Sequence, residues 1–239
     1  MRQVIALGGG GFSMEPDNPL LDLYVLNQSV KVSPKICFIS TASGDSDNYI
    51  SRFYNFFEKQ ICQASHLSLF KPPTRDLEGF LLDKDIIYVG GGNTRNLLVL
   101  WKEWGLDAML KKAWEQGIIL AGISAGSICW FEEGVTDSYG DDLEPIKCLG
   151  FLKGSHCPHY DGEVNRRPSY QELVTKGKIQ SGIAADDGVA LHYIDQELSE
   201  IVRSRPKAKA YKVYLDKTVK EIELETKYLG GFYDDILIE

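Results

Sequence analysis

Apolar residues gather along this chain in short blocks, separated by stretches where they recur every three or four positions. The blocks VIALGG from Val4, KICFIST from Lys35, SHLSLF from Ser65, DIIYVGGG from Asp85 and GIILAGISAG from Gly117 are aliphatic or β-branched. Most run out in glycine, serine or threonine. Continuous apolar blocks of this length, bounded by turn formers, predict strands buried on both faces of a sheet. Between them, Ile50, Phe53, Tyr54, Phe57 and Ile61 fall at helical spacing and predict an amphipathic helix from about Asp47 to Ile61. Leu97, Leu98 and Trp101, then Leu106, Met109, Leu110 and Trp114, mark two more. The alternation predicts an α/β fold with a doubly wound, mostly parallel sheet and helices on both faces. Ligands bind such sheets at the carboxyl ends of the strands.

From about Gly182 the pattern changes. GIAADDGVALHYI, SEIVRSR and the alternating AKAYKVYLDKTVKEIELE predict late strands and a hairpin extending one edge of the sheet. No linker, repeat or low-complexity stretch interrupts the chain, so residues 1–239 read as a single domain.

Composition narrows the classes of function. Against 26 Lys and Arg stand 34 Asp and Glu, a formal charge of -8. That balance argues against a nucleic-acid or anionic-membrane partner, because no basic surplus is present to neutralise phosphates. MRQVIALGGGG reaches glycine too soon for a secretory signal, and no apolar run approaches the ~18 residues of a membrane span. The five cysteines are odd in number and form no CxxC pair. They read as reduced thiols of a cytoplasmic protein, with neither a disulfide frame nor a metal site.

The candidate chemistry centres on Gly122-Ile123-Ser124-Ala125-Gly126. This G-x-S-x-G pentapeptide follows the apolar run Ile118–Ala121 and opens a predicted helix at Ser127–Glu132. Strand, sharp turn and helix are the context of a nucleophile elbow. The serine must adopt an uncommon backbone geometry there, and small neighbours relieve the crowding. Its hydroxyl then projects from the sheet edge, while the Ala125 amide at the helix start is free to donate to an oxyanion. The bland alternative is a small-residue strand end.

A serine nucleophile needs a base. Of the four histidines, His66 and His192 lie within predicted strands and read as packed side chains. His156 and His159, in GSHCPHYDG, follow an apolar run and sit where a strand would end; either one fits. Asp186-Asp187-Gly188 supplies an orienting acid, although Asp-Gly is equally a turn signal. The order Ser, His, Asp departs from the Ser, Asp, His order of α/β-hydrolases. A second cluster, Gly90-Gly91-Gly92-Asn93-Thr94, would bring backbone amides near a developing charge and cap a helix with Asn93 or Thr94. Neither glycine cluster completes G-x-G-x-x-G, so a nucleotide cofactor is not expected.

Together VGGGNT (Val89–Thr94), GISAGS (Gly122–Ser127), CPHY (Cys157–Tyr160) and GIAADDGVAL (Gly182–Leu191) resemble the dipeptidase E (aspartyl dipeptidase) and cyanophycinase family of serine peptidases, in order and spacing. The resemblance implies a flavodoxin-like sheet similar to class I glutamine amidotransferases, where a cysteine occupies the elbow. It implies Ser124 as nucleophile, His159 as base and Asp187 as the acid, where the family usually has glutamate. Gly92 and Ala125 match the oxyanion-hole amides. Arg166 aligns with the arginine that takes an acidic substrate side chain in aspartyl dipeptidases; Arg167 beside it and Asn93 join it as substrate-binding candidates. The implied activity is hydrolysis of a short peptide or dipeptide, Asp-X among the candidates, with no cofactor or metal, by a monomer or homodimer. Competing readings are a non-catalytic relative that binds a small amide or peptide, an esterase or amidase on the same triad, and a nucleotide binder using the Gly8–Gly11 and Gly90–Gly92 loops.

Overall fold

The computed structural model describes residues 1–140 and 142–232; the last seven residues of the predicted domain lie outside them. In chain order the first strands are β1 (Gln3–Leu7), β2 (Lys35–Ile39), β3 (Gln63–Leu67), β4 (Ile86–Val89) and β5 (Ile119–Ile123). There follow β6 (Phe131–Thr136), β7 (Glu144–Lys147), β8 (Leu152–Cys157) and β9 (Gly182–Ala185), then β10 (Val189–Ile194), β11 (Glu197–Arg203), β12 (Ala210–Asp216), β13 (Thr218–Leu224) and β14 (Lys227–Tyr228). The helices are α1 (Gly11–Met14), α2 (Leu20–Leu26), α3 (Asp47–Phe57), α4 (Leu77–Leu82), α5 (Thr94–Trp104), α6 (Leu106–Glu115), α7 (Ala125–Ile128) and α8 (Arg166–Thr175).

Two sheets form. The larger runs β14-β11-β10-β1-β5-β4-β2-β3, with β1 to β5 mutually parallel and β10 antiparallel to β1. This is the mostly parallel arrangement the apolar blocks predict, flavodoxin-like as the family resemblance implies. The second sheet, β13-β12-β9-β8-β6-β7, corrects the expected layout of the late strands. Only β10, β11 and β14 extend the first sheet. The segment GIAADDGVALHYI breaks at the Asp-Gly turn signal, Asp186–Gly188, and sends β9 to one sheet and β10 to the other. The helix expected at Ser127–Glu132 is also corrected: α7 ends at Ile128 and the chain re-extends into β6 by Phe131. The run Ile128-Cys129-Trp130-Phe131 is fully apolar, and such a run does not distinguish helix from strand by periodicity.

Alternation along β1 sorts its side chains between two cores. Val4 and Ala6 pack with Trp101, Leu110, Leu120 and Trp114, a cluster that also takes in Phe131, Leu152 and Ala210 of the second sheet. Ile5 and Leu7 face the opposite layer, with Phe53 and Phe57 of α3. At its centre lies Phe12 of α1, whose ring sits 5.4 to 5.8 Å from Phe38, Tyr49, Phe53, Phe57 and Tyr88. This anchors the glycine-rich loop after β1 against the sheet.

Beneath that loop a carboxylate is fully buried. Asp22 accepts from the Phe12 amide at 2.7 Å and from the Tyr88 hydroxyl at 3.3 Å, and burial pushes its pKa from 3.8 up to about 7. The folded state therefore holds a proton that the unfolded chain releases near pH 4. Stability from this group is complete below that pH and is lost as pH rises through 7. Asp22→Asn carries no such proton. It is expected to flatten the decline in stability between pH 4 and 7 and to exceed wild type above pH 7, by up to ~4 kcal/mol from the size of the shift. Chemical denaturation across pH checks this; parallel curves for the two proteins would refute it.

Candidate active site

Three neighbouring strands of the larger sheet, β1, β5 and β4, end side by side, and the loops leaving them converge. Ser124 follows β5 directly. Its backbone lies at φ 57, ψ −116, and its amide donates to Leu7 O at 3.2 Å. A non-glycine residue held there carries on the order of 1–3 kcal/mol of strain, which persists only when the surroundings enforce it. The two glycines of the pentapeptide explain how. A Cβ on Gly126 would stand 2.2 Å from Val89 O of β4, and one on Gly122 would stand 2.2 Å from Gly126 O. Only glycine lets α7 settle this closely on β4 and β5. Below the bend, the Ser127 hydroxyl donates to Ser124 O at 2.8 Å and meets His156 Nε2 at 3.1 Å.

The histidine ambiguity resolves by position. His156 is fully buried, with Nδ1 on Ile183 O at 2.9 Å, and burial lowers its pKa to about 4. It is a neutral support for the elbow. His159, two residues past β8, is held at φ 53 by its own amide donating to Gly8 O and by Tyr160 N donating to Ala185 O. Its Nδ1 lies 2.6 Å from Asp187 Oδ1. His66 and His192 are bonded to Tyr54 and Tyr24, away from this edge.

Position separates the two aspartates as well. Asp187 follows β9; its amide donates to Asp161 Oδ1 at 2.8 Å, and Arg205 lies 3.9 Å from its Oδ2. Asp186 turns to the opposite side and accepts from Lys209 N at 2.9 Å, and its pKa is raised to about 6, chiefly by burial. Gly9 closes the arrangement. A Cβ there would fall 1.8 Å from Asp187 Oδ1 and 2.9 Å from His159 Nδ1. The backbone of the β1 loop thus lies flush against the His–Asp pair, a role that the glycine run at Gly8–Gly11 signals without specifying.

Ser124 and His159 share a cavity of ≈ 220 Å³ with Met14, Tyr49, Arg52 and Gly91. Ser124 is half-buried, and its Oγ forms no hydrogen bond with another protein group among the described residues. A Cβ on Gly91 would approach that Oγ to 3.6 Å, so the glycine loop after β4 borders the hydroxyl. The Gly91 amide is taken by the Tyr49 hydroxyl at 3.2 Å. The amides of Gly92 and Ala125 donate to no protein group among the described residues, that of Ala125 because it begins α7.

The three expected substrate-binding side chains do not line that cavity, and each is engaged by the chain itself. Arg166 is the first residue of α8, not part of a loop. It is 3% exposed, with its guanidinium on Glu163 and on Val135 O at 3.0 Å. Arg167 pairs with Glu221 and lies over the rings of Tyr160 and Tyr211. Asn93 caps α5, accepting from Asn96 N at 2.8 Å and donating to Ser138 O. Carboxylates and carbonyls of the chain itself satisfy these groups. Among the described residues no group of three or more His, Cys, Asp or Glu side chains is arranged to hold a metal ion.

A serine on a strained strand-to-helix turn, bordered by a glycine loop and facing a cavity shared with a carboxylate-paired imidazole, marks a serine-type hydrolase on a flavodoxin-like fold. The chain belongs to peptidase family S51, which it matches over residues 4–201, and it is a serine-type peptidase. It is 62% identical over 231 residues to the uncharacterized peptidase YgaJ of Bacillus subtilis (strain 168), covering 96% of this chain and all of the relative. Its fold resembles a peptidase from an acI-B1 Actinobacterium (TM-score 0.67, 95% of each chain) and a putative peptidase E protein from Listeria monocytogenes EGD-e (TM-score 0.58, 94% of this chain and 100% of the other). Both are 17% identical to it.

Proposed function

We propose that this peptidase is an exopeptidase acting on dipeptides or other short peptides, with Ser124, His159 and Asp187 as its catalytic residues. The observation that carries the reading is the 2.6 Å contact between His159 Nδ1 and Asp187 Oδ1. With Nδ1–H donated to the carboxylate, Nε2 is the basic nitrogen of an imidazole that shares its cavity with the Ser124 hydroxyl. Ser124 Oγ attacks the scissile carbonyl carbon while Nε2 takes its proton, and Asp187 stabilises the imidazolium. The carbonyl oxygen, now an oxyanion, is received by the Gly92 and Ala125 amides. When the C–N bond breaks, the imidazolium returns its proton to the leaving amine. Water, deprotonated by the same nitrogen, then hydrolyses the acyl-enzyme and frees Ser124.

The size of the cavity supports a short substrate, since ≈ 220 Å³ falls below the ~300–1,000 Å³ of sites that engulf drug-sized ligands. A cytoplasmic location belongs to the same proposal. It is supported by five free cysteines and by the finding that no helix among the described residues is long and apolar enough to cross a membrane. The test is a panel of Asp-X, Met-X and Gly-X dipeptides, their amino-blocked forms and a long unstructured polypeptide. Free dipeptides are expected to be cleaved fastest. Cleavage confined to internal bonds of the long chain, or to esters, would overturn the exopeptidase reading.

A further inference from the structure

We propose that Arg52 is the residue that recognises a carboxylate of the substrate, an assignment that deepens the short-peptide reading above and rests on it. Arg52 lies on the exposed side of α3, and it is the one Lys or Arg side chain lining the cavity that holds Ser124 and His159. No carboxylate lies within ion-pair distance of it among the described residues. That sets it apart from Arg166 and Arg167, whose charges Glu163 and Glu221 neutralise.

Its guanidinium is nevertheless held in place. One terminal nitrogen donates to Ser13 O at 2.9 Å, and the plane sits 5.0 Å from the Tyr49 ring centroid. The Tyr49 hydroxyl in turn accepts from the Gly91 amide, which ties the cation to the loop bordering Ser124. A guanidinium has five N–H donors in a rigid fork, so one bond to Ser13 leaves an edge with two parallel donors. That edge matches a carboxylate bidentately, and it is already oriented, so little freedom is lost on binding. No Asp or Glu lines the cavity to oppose an anion.

Two carboxylates of a short peptide could fill this place: the terminal carboxylate of a dipeptide, or the side chain of an acidic residue. Binding to the Ser124→Ala protein separates them and does not depend on turnover, so a failure of the peptidase mechanism would show separately, in the hydrolysis panel. Calorimetry would compare Ala-Leu with Ala-Leu amide, and Asp-Leu amide with Asn-Leu amide, on Ser124→Ala with and without Arg52→Gln. For the carboxylate-bearing member of one pair, Arg52→Gln is expected to raise Kd by about 10- to 100-fold, the range of hydrogen bonds to charged groups. Its matched amide should change by less than about threefold, and Arg52→Lys should restore part of the loss as a point charge without the fork. The pair that responds names the source. Equal effects on both members of each pair, no effect on any ligand, or no binding of either carboxylate peptide by Ser124→Ala would overturn the assignment.

Discussion

Ser124→Ala is expected to lower kcat by about 10⁵- to 10⁶-fold, as loss of a nucleophile that acts as a unit with its base does elsewhere. Its melting temperature should stay close to that of wild type. The second expectation follows from the structure: Ser124 Oγ bonds no other protein group among the described residues, and alanine keeps the same Cβ at φ 57. Ser124→Gly separates the chemistry from the strain. Glycine adopts this backbone region freely, so the variant should be as inactive as Ser124→Ala yet more stable than wild type, by part of the ~1–3 kcal/mol that such a conformation costs. Steady-state kinetics on a cleaved dipeptide and thermal melts of the three proteins check both halves. Substantial hydrolysis by Ser124→Ala would remove the nucleophile assignment. A glycine variant less stable than wild type would remove the strain account.

Gly9→Ala carries the second large effect, from a residue with no chemistry of its own. The added methyl would lie 1.8 Å from Asp187 Oδ1, which cannot be accommodated while the carboxylate stays on His159. Severing the orienting acid from a triad histidine costs about 10⁴-fold in kcat, and Gly9→Ala is expected to approach that, at about 10³- to 10⁴-fold. Asp187→Asn is the companion measurement. It fills the same space without forcing movement, and it should fall by a similar factor because the amide selects the wrong imidazole tautomer. Activity of Gly9→Ala within tenfold of wild type would mean that the contact between Asp187 and His159 is not needed in the rate-limiting step.

The parts of this molecule that could be read in advance are those whose signal is local. β1, β2, β4 and β5 are mostly apolar, almost wholly buried runs, and α3, α5 and α6 carry apolar faces at helical spacing; each appears within a few residues of its expected place. The elbow was legible because its close packing on β4 and β5 admits no side chain at 122 or 126, so both glycines stand in the sequence. What stayed hidden depends on partners distant in sequence. β6 and β8 show no regular alternation of buried and open positions, and β7, Glu-Pro-Ile-Lys, buries a single side chain, so their membership of a second sheet has no periodic trace.

The histidine and acid ambiguities were of the same kind. His156 and His159, or Asp186 and Asp187, are three residues and one residue apart, and only the fold decides which histidine shares the Ser124 cavity and which aspartate meets that histidine. At Arg166 the structure shows a partner that the sequence does not signal. The arginine's type and position fitted a substrate contact, but Glu163 lies on the same turn of chain and claims the guanidinium. Arg52 has no signal of its own in the sequence, because the helical spacing of α3 marks its apolar stripe and Arg52 lies on the polar side.

The most direct test of the central claim is active-site labelling with a fluorophosphonate, read by intact mass and peptide mapping. Wild type should gain one adduct, on the peptide containing Ser124, and His159→Ala should acquire it far more slowly. An unreactive wild-type protein, or an adduct mapped to Ser13 or Ser127, would contradict the account.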